Sequence, residues 1–391
     1  MRKFGTSRFT AMIILAGLAA AVAPALHAAQ QPPDVGIVLL DRDVADHDWS
    51  ADGKWVVYSK RNAKDSLFDI WLIKPDGSGK LNLSEAKNSA LPAGNCGCVV
   101  WHPSGDYFVF TAQNPDATGA KANRMAEPGV GLNCNLWAAN RAADKAWKLT
   151  ALTSSMFPHG VNHPQFSPDG KKLCWAEALG KYSWSTGMEW GQWAVMTADF
   201  AVEKGVPSIT NPRKYTPGKQ KCYFETHHFS RDGSKVLFSG NLEDGQVTTG
   251  LDIHELDLAT GNATRLTKTL ADWDEHSHLS PDGKTIAWMS SAGLGVKFES
   301  SKFPEWMKYL KSELWLMNAD GSNQRRITFF NQPGHPDREW FIKTVADSPR
   351  VAVSDISYSK TGTTLALTLA YEGAAGAVGT AMVLLDVSKR R

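Results

Sequence analysis

The chain has 391 residues and a formal net charge of +2, from 42 Lys and Arg against 40 Asp and Glu. A balance this close to neutral excludes the strongly basic surface that nucleic-acid binding requires, so we expect no nucleic-acid partner. The length by itself would allow two or three domains. The repeats described below instead predict one large closed domain.

Residues 1–29 have the pattern of a secretory signal peptide. Arg2, Lys3 and Arg8 flank the start, an apolar run follows from Phe9 to Val22, and small residues end the segment. The apolar run is shorter than the roughly 20 residues that a membrane-spanning helix needs, so we expect cleavage and not anchoring. No later segment could span a membrane. The sequence thus predicts a periplasmic or secreted protein, which we expect to be a monomer.

From residue 45 onward, short runs of alternating apolar residues are separated by turns that end in Gly. One turn, Ser-Pro-Asp-Gly or a variant of it, begins at Ser50, His102, Ser167, Ser230, Ser280 and Ser359. Alternation with a period of two between such turns predicts antiparallel strands joined as hairpins. A repeat of roughly 40 to 60 residues with four strands is typical of a β-propeller blade.

Six such repeats predict an all-β fold, a six-bladed β-propeller over residues 30–391. We expect the blades to begin near Ala45, Cys96, Val161, Cys222, Trp273 and Val351. The sixth blade has only three predicted strands, whereas the strand from Gly36 to Leu40 has no partner near it. Because this N-terminal strand can supply the missing outer strand, it is expected to close the ring and to remove two sheet edges.

Two segments carry a family resemblance, FSPDGKKL at residues 166–173 and DIWLIKPDGSGK at residues 69–80. They resemble the PD40 (WD40-like) repeat of the TolB family, and the resemblance covers nearly all of the chain after the signal peptide. It implies the propeller fold but no particular function, because the repeat occurs in binding proteins and in enzymes. TolB carries an α/β domain before its propeller, so this chain looks like the TolB propeller alone.

The predicted connections are longest on one side of the propeller, termed here the loop-rich face. They are Gln113–Asn133, Ala178–Gly187, Ala292–Ser312 and Asn331–Asp347. Long loops on one face of a rigid scaffold commonly bind, so we expect a protein, peptide or glycan ligand there. His335 and Arg338 are candidate ligand-binding residues over the channel mouth. The alternative for their loop is a solvated charged turn.

The first strand of each blade should line the central channel, with the side chains four and two residues before the turn serine on one side. A repeat with no task would tend to hold small or apolar residues there. The polar residues at these positions are Asp46, Asp48, Cys98, His163, Gln165, Thr226, His228, His276, His278, Asp355 and Ser357. Among them, Asp46, Asp48 and Gln165 are candidate ligand-binding residues.

Histidines from three successive blades predict a metal site in the channel. His163, His228, His276 and His278 offer imidazole nitrogens, which suit divalent metal ions such as zinc and manganese, and calcium is a third candidate. The alternative is a polar channel that holds water. The segment HPQFSPDG and the His-x-His pair also resemble oligogalacturonate lyases, propellers that hold manganese through His and Gln. That resemblance implies Gln165 as a further ligand.

Two functional classes remain. One is a non-catalytic binding protein, and the other is a metal-dependent polysaccharide lyase that acts on uronate-containing oligosaccharides. In such a lyase the metal neutralises the uronate carboxylate and a basic side chain takes the neighbouring proton. The spacing assigns no catalytic residue. The sequence lacks a Gly-x-Ser-x-Gly elbow, which excludes a propeller-capped serine peptidase.

Five cysteines in an exported chain favour at least one disulfide. Cys96 and Cys134 begin the first and third predicted strands of the second blade, so a bond between them would fix the long connection before Cys134. Cys174 and Cys222 are a second candidate pair. The alternative for both pairs is buried free thiols.

Overall fold

The structure is a computed structural model that describes residues 34–154, 159–180, 190–218, 223–247, 249–296, 309–373 and 376–390. The predicted signal peptide lies outside these residues. Within the described ranges, no helix combines the length and the apolar character that crossing a membrane requires. Residues Pro33–Arg391 form one unit, which contains six four-stranded antiparallel sheets.

Each sheet is one propeller blade, and the predicted six-bladed all-β fold is confirmed. Blades one to three contain β2 (Val44–Trp49), β3 (Val56–Arg61), β4 (Phe68–Ile73) and β5 (Leu81–Asn82); β6 (Cys96–Trp101), β7 (Tyr107–Gln113), β8 (Cys134–Asn140) and β9 (Ala146–Lys148); and β10 (Gly160–Phe166), β11 (Lys172–Ala178), β12 (Trp193–Glu203) and β13 (Val206–Tyr215). Blades four to six contain β14 (Phe224–Phe229), β15 (Lys235–Gly240), β16 (Asp252–Asp257) and β17 (Ala263–Arg265); β18 (Asp274–Leu279), β19 (Thr285–Ser290), β20 (Glu313–Asn318) and β21 (Arg325–Arg326); and β22 (Val351–Tyr358), β23 (Thr364–Glu372) and β24 (Val378–Asp386) with β1 (Ile37–Arg42). Helix α1 (Ala120–Met125) connects β7 to β8, and helix α2 (Pro336–Thr344) lies between β21 and β22.

The turn between the first two strands of a blade depends on Ser, Asp and Gly together. In blade five the Ser280 hydroxyl donates to Asp282 Oδ1 at 2.6 Å, and Asp282 accepts from the Lys284 N–H at 3.1 Å. Gly283 closes the turn with a left-handed φ of 75°, a conformation that glycine adopts without the strain of a Cβ. The same Ser-to-Asp bond of 2.6 Å recurs in blades one, three and four. This shared geometry explains why the motif marks the blades in the sequence.

Strand β1 is the outer strand of blade six, so the expected closure is confirmed. It pairs antiparallel with β24, from Ile37 opposite Leu385 to Arg42 opposite Ala381, and the strand order is β1-β24-β23-β22. The chain then continues into β2 of blade one. Backbone hydrogen bonds therefore join the first and last blades.

Apolar side chains fill the space between neighbouring blades. Phe108 and Phe110 of β7 share one cluster with Val57 of β3 and Ile70 of β4, and all four are fully buried. Burying one such side chain contributes about 1.5–3 kcal/mol. Because the blades are fixed to each other through these faces, their inner strands can present polar residues to the channel.

The predicted disulfide between Cys96 and Cys134 is wrong. Both residues are free and buried, and β7 lies between the strands that carry them. Two strand spacings amount to about 10 Å, which exceeds the roughly 7 Å between Cα atoms that a disulfide can span. Cys174 is also a free, buried thiol. Its candidate partner Cys222 lies outside the described residues.

Candidate functional site

Each inner strand contains a β-bulge close to the channel positions. Register shifts interrupt the pairing of all six inner strands with their neighbours. At the bulge, Cys98, His163 and His276 have left-handed φ angles of 47°, 45° and 51°. A bulge changes the direction of the side chains around it. The unbroken alternation assumed from the sequence is therefore wrong for these strands.

The four histidines predicted as metal ligands lie in two pairs. The ring centroids of His163 and His276 are 5.3 Å apart, and those of His228 and His278 are 4.3 Å apart. His227, which the sequence analysis did not select, lies 6.1 Å from His163 and 5.7 Å from His276. His228 and His278 are termed the lower pair.

Two glutamates accompany the first pair of histidines. Glu225 and Glu275 are the second residues of β14 and β18, so they lie where these strands enter from the loop-rich face. Glu225, Glu275 and His276 each offer a donor atom, and the three atoms lie within 4.8 Å of one another. His163 Nε2 lies 3.6 Å from Glu225 Oε1. The upper cluster is defined as these four residues together with His227.

Several polar atoms of these residues are buried without a hydrogen-bond partner. Glu225 Oε1 accepts from the Tyr223 hydroxyl, but Glu225 Oε2 and His163 Nε2 have none among the described residues. His227 Nε2, in contrast, is 2.5 Å from Ser239 Oγ. Because buried polar atoms are nearly always paired, the two unpaired atoms indicate room for a further ligand.

Burial and mutual proximity set the protonation of the upper cluster. Burial raises the pKa of Glu225, but His163 and then His276 outweigh it and the net shift is downward. Burial, followed by the Glu225 charge, raises the pKa of Glu275 well above its usual range. Burial lowers the pKa of His276 to about 4. Burial opposes the protonation of His163, yet Glu225 makes the net shift of its pKa upward. The opposed shifts of Glu225 and Glu275 favour one ionised carboxylate in the cluster, that of Glu225.

Asp46 and Asp48 join the first two blades. Asp46 Oδ1 accepts from the Val99 N–H at 2.8 Å, and Asp48 Oδ2 accepts from the Trp101 N–H at 2.8 Å. Burial raises the pKa of Asp48 to about 7, opposed by the backbone N–H groups that it accepts from. Both side chains thus have a structural role, whereas the sequence analysis named them as ligand-binding candidates.

Asp355 and Gln165 are two further predicted channel residues. Asp355 Oδ2 accepts from the His47 N–H at 2.8 Å, which joins blade six to blade one. Asp355 Oδ1 lies 3.8 Å from His276 Nδ1, and burial raises the pKa of Asp355 to about 8. Gln165 is paired opposite Cys174 in the sheet and is partly exposed.

The loop of His335 and Arg338 contains helix α2. His335 is its N-cap, and its Nδ1 accepts from the Asp337 N–H at 3.1 Å. Arg338 donates to the Phe330 carbonyl at 3.4 Å and to the Ser348 carbonyl. Trp340 of the same helix is buried in the core. The expectation of a loop over the channel mouth therefore gives way to a helix that covers the core, and both side chains stabilise it.

The sequence contained a signal for the glutamates. Glu225 and Glu275 both stand five residues before the turn serine, and Tyr223 and Trp273 both stand seven before it. Because Glu and an aromatic residue recur at the same positions of adjacent blades, the sequence indicated that these positions share a functional role. The assumed alternation assigned these positions to the wrong side of the strand.

These features define a six-bladed β-propeller with a channel lined by histidines and carboxylates. No protein-family model matches the chain. It is similar to TolB from Acinetobacter baumannii, with a TM-score of 0.50 and 14% identity, over 85% of this chain and 64% of that one. It is also similar to a putative TolB from Agrobacterium tumefaciens, with a TM-score of 0.47 and 15% identity, over 72% of this chain and 79% of that one. At these identities the likeness establishes the fold alone.

Two further comparisons cover enzymes. An oligogalacturonate lyase in complex with manganese has a TM-score of 0.45 and 14% identity, over 91% of each chain. Among curated proteins, dipeptidyl-peptidase 5 from Porphyromonas endodontalis is 36% identical over 62 residues, 15% of this chain and 9% of the peptidase. The chain thus spans less than two thirds of that peptidase and of the Acinetobacter baumannii TolB.

Proposed function

We propose that this chain is an exported, TolB-like β-propeller that binds a protein, peptide or glycan ligand on its loop-rich face and at the channel mouth. Export is supported by the signal-peptide pattern of residues 1–29. Binding on this face is supported by the position of the long connections, since loops on a rigid scaffold commonly carry binding residues.

The observation that carries the proposal is a pair of exposed apolar residues on the loop-rich face, Val247 and Leu270, which are termed the patch. Val247 lies between β15 and β16 and is 40% exposed, and Leu270 lies between blades four and five and is 57% exposed. The two segments meet at Gly250, where an added Cβ would be 3.5 Å from the Val247 side chain and 2.7 Å from the backbone carbonyl oxygen of Leu270. Apolar surface that is exposed and contiguous commonly marks interaction sites, and these two residues place apolar surface on neighbouring loops of one face.

A metal-dependent polysaccharide lyase is the second candidate, favoured by the convergence of Glu225, Glu275 and His276 within 4.8 Å. A bound divalent ion would supply charge neutralisation for a uronate carboxylate. Burial lowers the pKa of His227 well below its usual range, so its ring is unprotonated at neutral pH.

The test compares two double variants of protein recovered from a periplasmic extract. Val247→Glu/Leu270→Glu places charge on the patch, and the control Val38→Glu/Leu81→Glu places it on the exposed outer strands β1 and β5. Arrays of oligosaccharides, including uronate oligomers, and of peptides should give a ligand for the parent protein. We expect the patch variant to lose at least about ten-fold in affinity, which is about 1.4 kcal/mol, and the control to bind like the parent.

Three results would contradict this proposal. They are absence of the protein from the periplasmic extract, absence of any bound ligand, and equal binding by both variants. Release of unsaturated products from the uronate oligomers would favour the lyase instead.

A further inference from the structure

The two glutamates of the upper cluster face each other in adjacent blades. Glu225 is 4% exposed and Glu275 is 5% exposed. Two buried carboxyl groups in contact repel each other when both are ionised, unless a cation lies between them. The described residues place no Lys or Arg in an ion pair with either glutamate. Histidines are the nearby basic groups.

Two imidazoles approach this carboxyl pair. His276 Nε2 lies 3.7 Å from Glu275 Oε2, and His163 Nε2 lies 3.6 Å from Glu225 Oε1. Both distances exceed a hydrogen bond. His163 Nε2 and Glu225 Oε2 are buried and unpaired, so nitrogen and oxygen lone pairs meet around one small space. Such an arrangement has the ligand types of a metal site.

We propose that Glu225, Glu275 and His276 bind one divalent transition-metal ion, with His163 as the fourth ligand. This inference rests on the second candidate function, in which the channel holds a divalent ion. In the ligand set predicted from the sequence, Glu225 and Glu275 take the places of His228 and His278. Two oxygen and two nitrogen donors suit zinc or manganese, whereas calcium takes oxygen ligands.

The lower pair is the weaker site. His228 Nδ1 is 2.7 Å from the Phe229 carbonyl, which makes it a donor and leaves only Nε2 to bind a metal. Among the described residues, Glu225, Glu275 and His276 form the group of three whose donor atoms all lie within 4.8 Å. In the part of the chain that the structure describes, no third His, Cys, Asp or Glu donor joins the lower pair within 4.8 Å. A tetrahedral ion with bonds of about 2.1 Å needs donors about 3.4 Å apart, so the upper cluster requires only a modest contraction.

The local backbone also holds the upper ligands in place. His163 and His276 occupy left-handed bulge positions, where a residue other than glycine is strained, and strain of this kind concentrates at functional sites. Tyr223 holds one oxygen of Glu225, which orients the other. The ring centroid of Trp190 lies 5.3 Å from that of Tyr223 and 6.3 Å from that of Trp273, so aromatic rings pack around the residue that holds Glu225.

The first experiment measures metal content and affinity. Protein comprising residues 30–391 is stripped with a chelator, dialysed against Zn²⁺, and analysed by elemental mass spectrometry and competition with a chromogenic chelator. We expect one equivalent in the parent and at least a ten-fold weaker affinity in Glu275→Gln and in His276→Asn. His254→Asn, which alters a buried histidine outside the channel, is the matched control and should retain one equivalent.

The second experiment needs no variant, so it decides the question even if a substitution prevents folding. X-ray absorption of the zinc-loaded parent counts imidazole ligands. Two imidazoles with oxygen donors are expected. Four imidazoles would overturn the carboxylate site. In the first experiment, loss of zinc from a His228→Gln/His278→Gln variant but not from Glu275→Gln would overturn it as well.

Absence of stoichiometric zinc and manganese from the parent would also overturn it. That result leaves the proposed ligand-binding function intact, because the patch variant of Val247 and Leu270 tests that function without reference to the metal. Conversely, a metal-loaded parent whose patch variant binds every ligand normally would retain this inference and contradict the proposed function.

Discussion

Burial determines the protonation of most histidines that the propeller encloses. It lowers the pKa of His47 to about 3 and that of His276 to about 4. His163 is the exception, because Glu225 outweighs the effect of burial. When the pH falls far enough to protonate these histidines in the unfolded chain, the folded state, which keeps the rings neutral, loses stability relative to it. These residues should therefore make the fold sensitive to acid.

His254 allows this acid sensitivity to be measured away from the channel. It stacks on Phe238 with ring centroids 5.2 Å apart, its Nδ1 donates to the Asp252 carbonyl at 2.9 Å, and burial lowers its pKa to about 4. Below about pH 6.5 the His254 ring binds a proton in the unfolded state but stays neutral in the folded state. The free energy of unfolding should thus fall as the pH decreases from about 6.5 to about 4, and level off below that.

His254→Asn keeps a donor near Asp252 and removes the titration. Urea unfolding at pH 7 and pH 4 gives the decrease in the free energy of unfolding between these two pH values. We expect this decrease to be smaller in the variant than in the parent by up to about 3 kcal/mol. Equal losses in the parent and the variant would contradict the assignment of a depressed pKa to this residue.

At the residue scale, the channel histidines could be predicted from the sequence, whereas the glutamates next to them were not. His163 and His276 were selected because they recur at one position of the repeat. Glu225 and Glu275 were not, since that selection assumed strict alternation along the inner strands. A single bulge reverses the side of the strand on which the following residues lie. These bulges could not be predicted, because the left-handed position holds His or Cys and not the glycine that would indicate it.

At the scale of single elements, turns were more predictable than connections. The Ser-Asp-Gly turn has one local geometry, so its residues mark it directly. Helix α2 was expected to be a loop, although Pro336 at its first turn and Asp337 and Glu339 after it are typical of a helix start. The sequence analysis interpreted the segment as a loop or a charged turn and did not use these signals.

Two glycines of this turn should respond differently to substitution. Gly53 and Gly170 have left-handed φ angles of 68° and 71°. A Cβ at Gly53 would meet nothing within 4 Å, whereas a Cβ at Gly170 would lie 2.4 Å from His102 Nε2. Gly53→Ala should therefore cost about 1–2 kcal/mol of backbone strain, and Gly170→Ala about 1–3 kcal/mol more from the steric conflict.

Chemical denaturation of the two alanine variants checks this difference. Gly53→Ala is the matched control, because it has the same turn and the same change without the neighbouring ring. If both variants were destabilised equally, contact between blades two and three through His102 would have no energetic role.

At the scale of the whole molecule, polar contacts complement the apolar faces between blades. Asp46 and Asp48 join blade one to blade two, and Asp355 joins blade six to blade one. The number of blades and the closure followed from the repeats and from the unpaired N-terminal strand. The use of these carboxylates within the ring could not be predicted, because it depends on how neighbouring inner strands approach each other.

Closure by β1 leads to the final prediction, which concerns truncation. Ile37 and Leu40 of β1 are 6% and 7% exposed, and Leu40 packs with Val44 of blade one and Leu384 of blade six. Deletion of residues 1–40 removes both side chains from the core, at a cost of about 3–6 kcal/mol. It also leaves β24 as an unpaired edge, which favours association between molecules. Deletion of residues 1–33 is the control, because it ends before β1. Urea unfolding should show the lower midpoint only for the longer deletion, and sedimentation should show its association; identical midpoints would mean that β1 does not hold the ring closed.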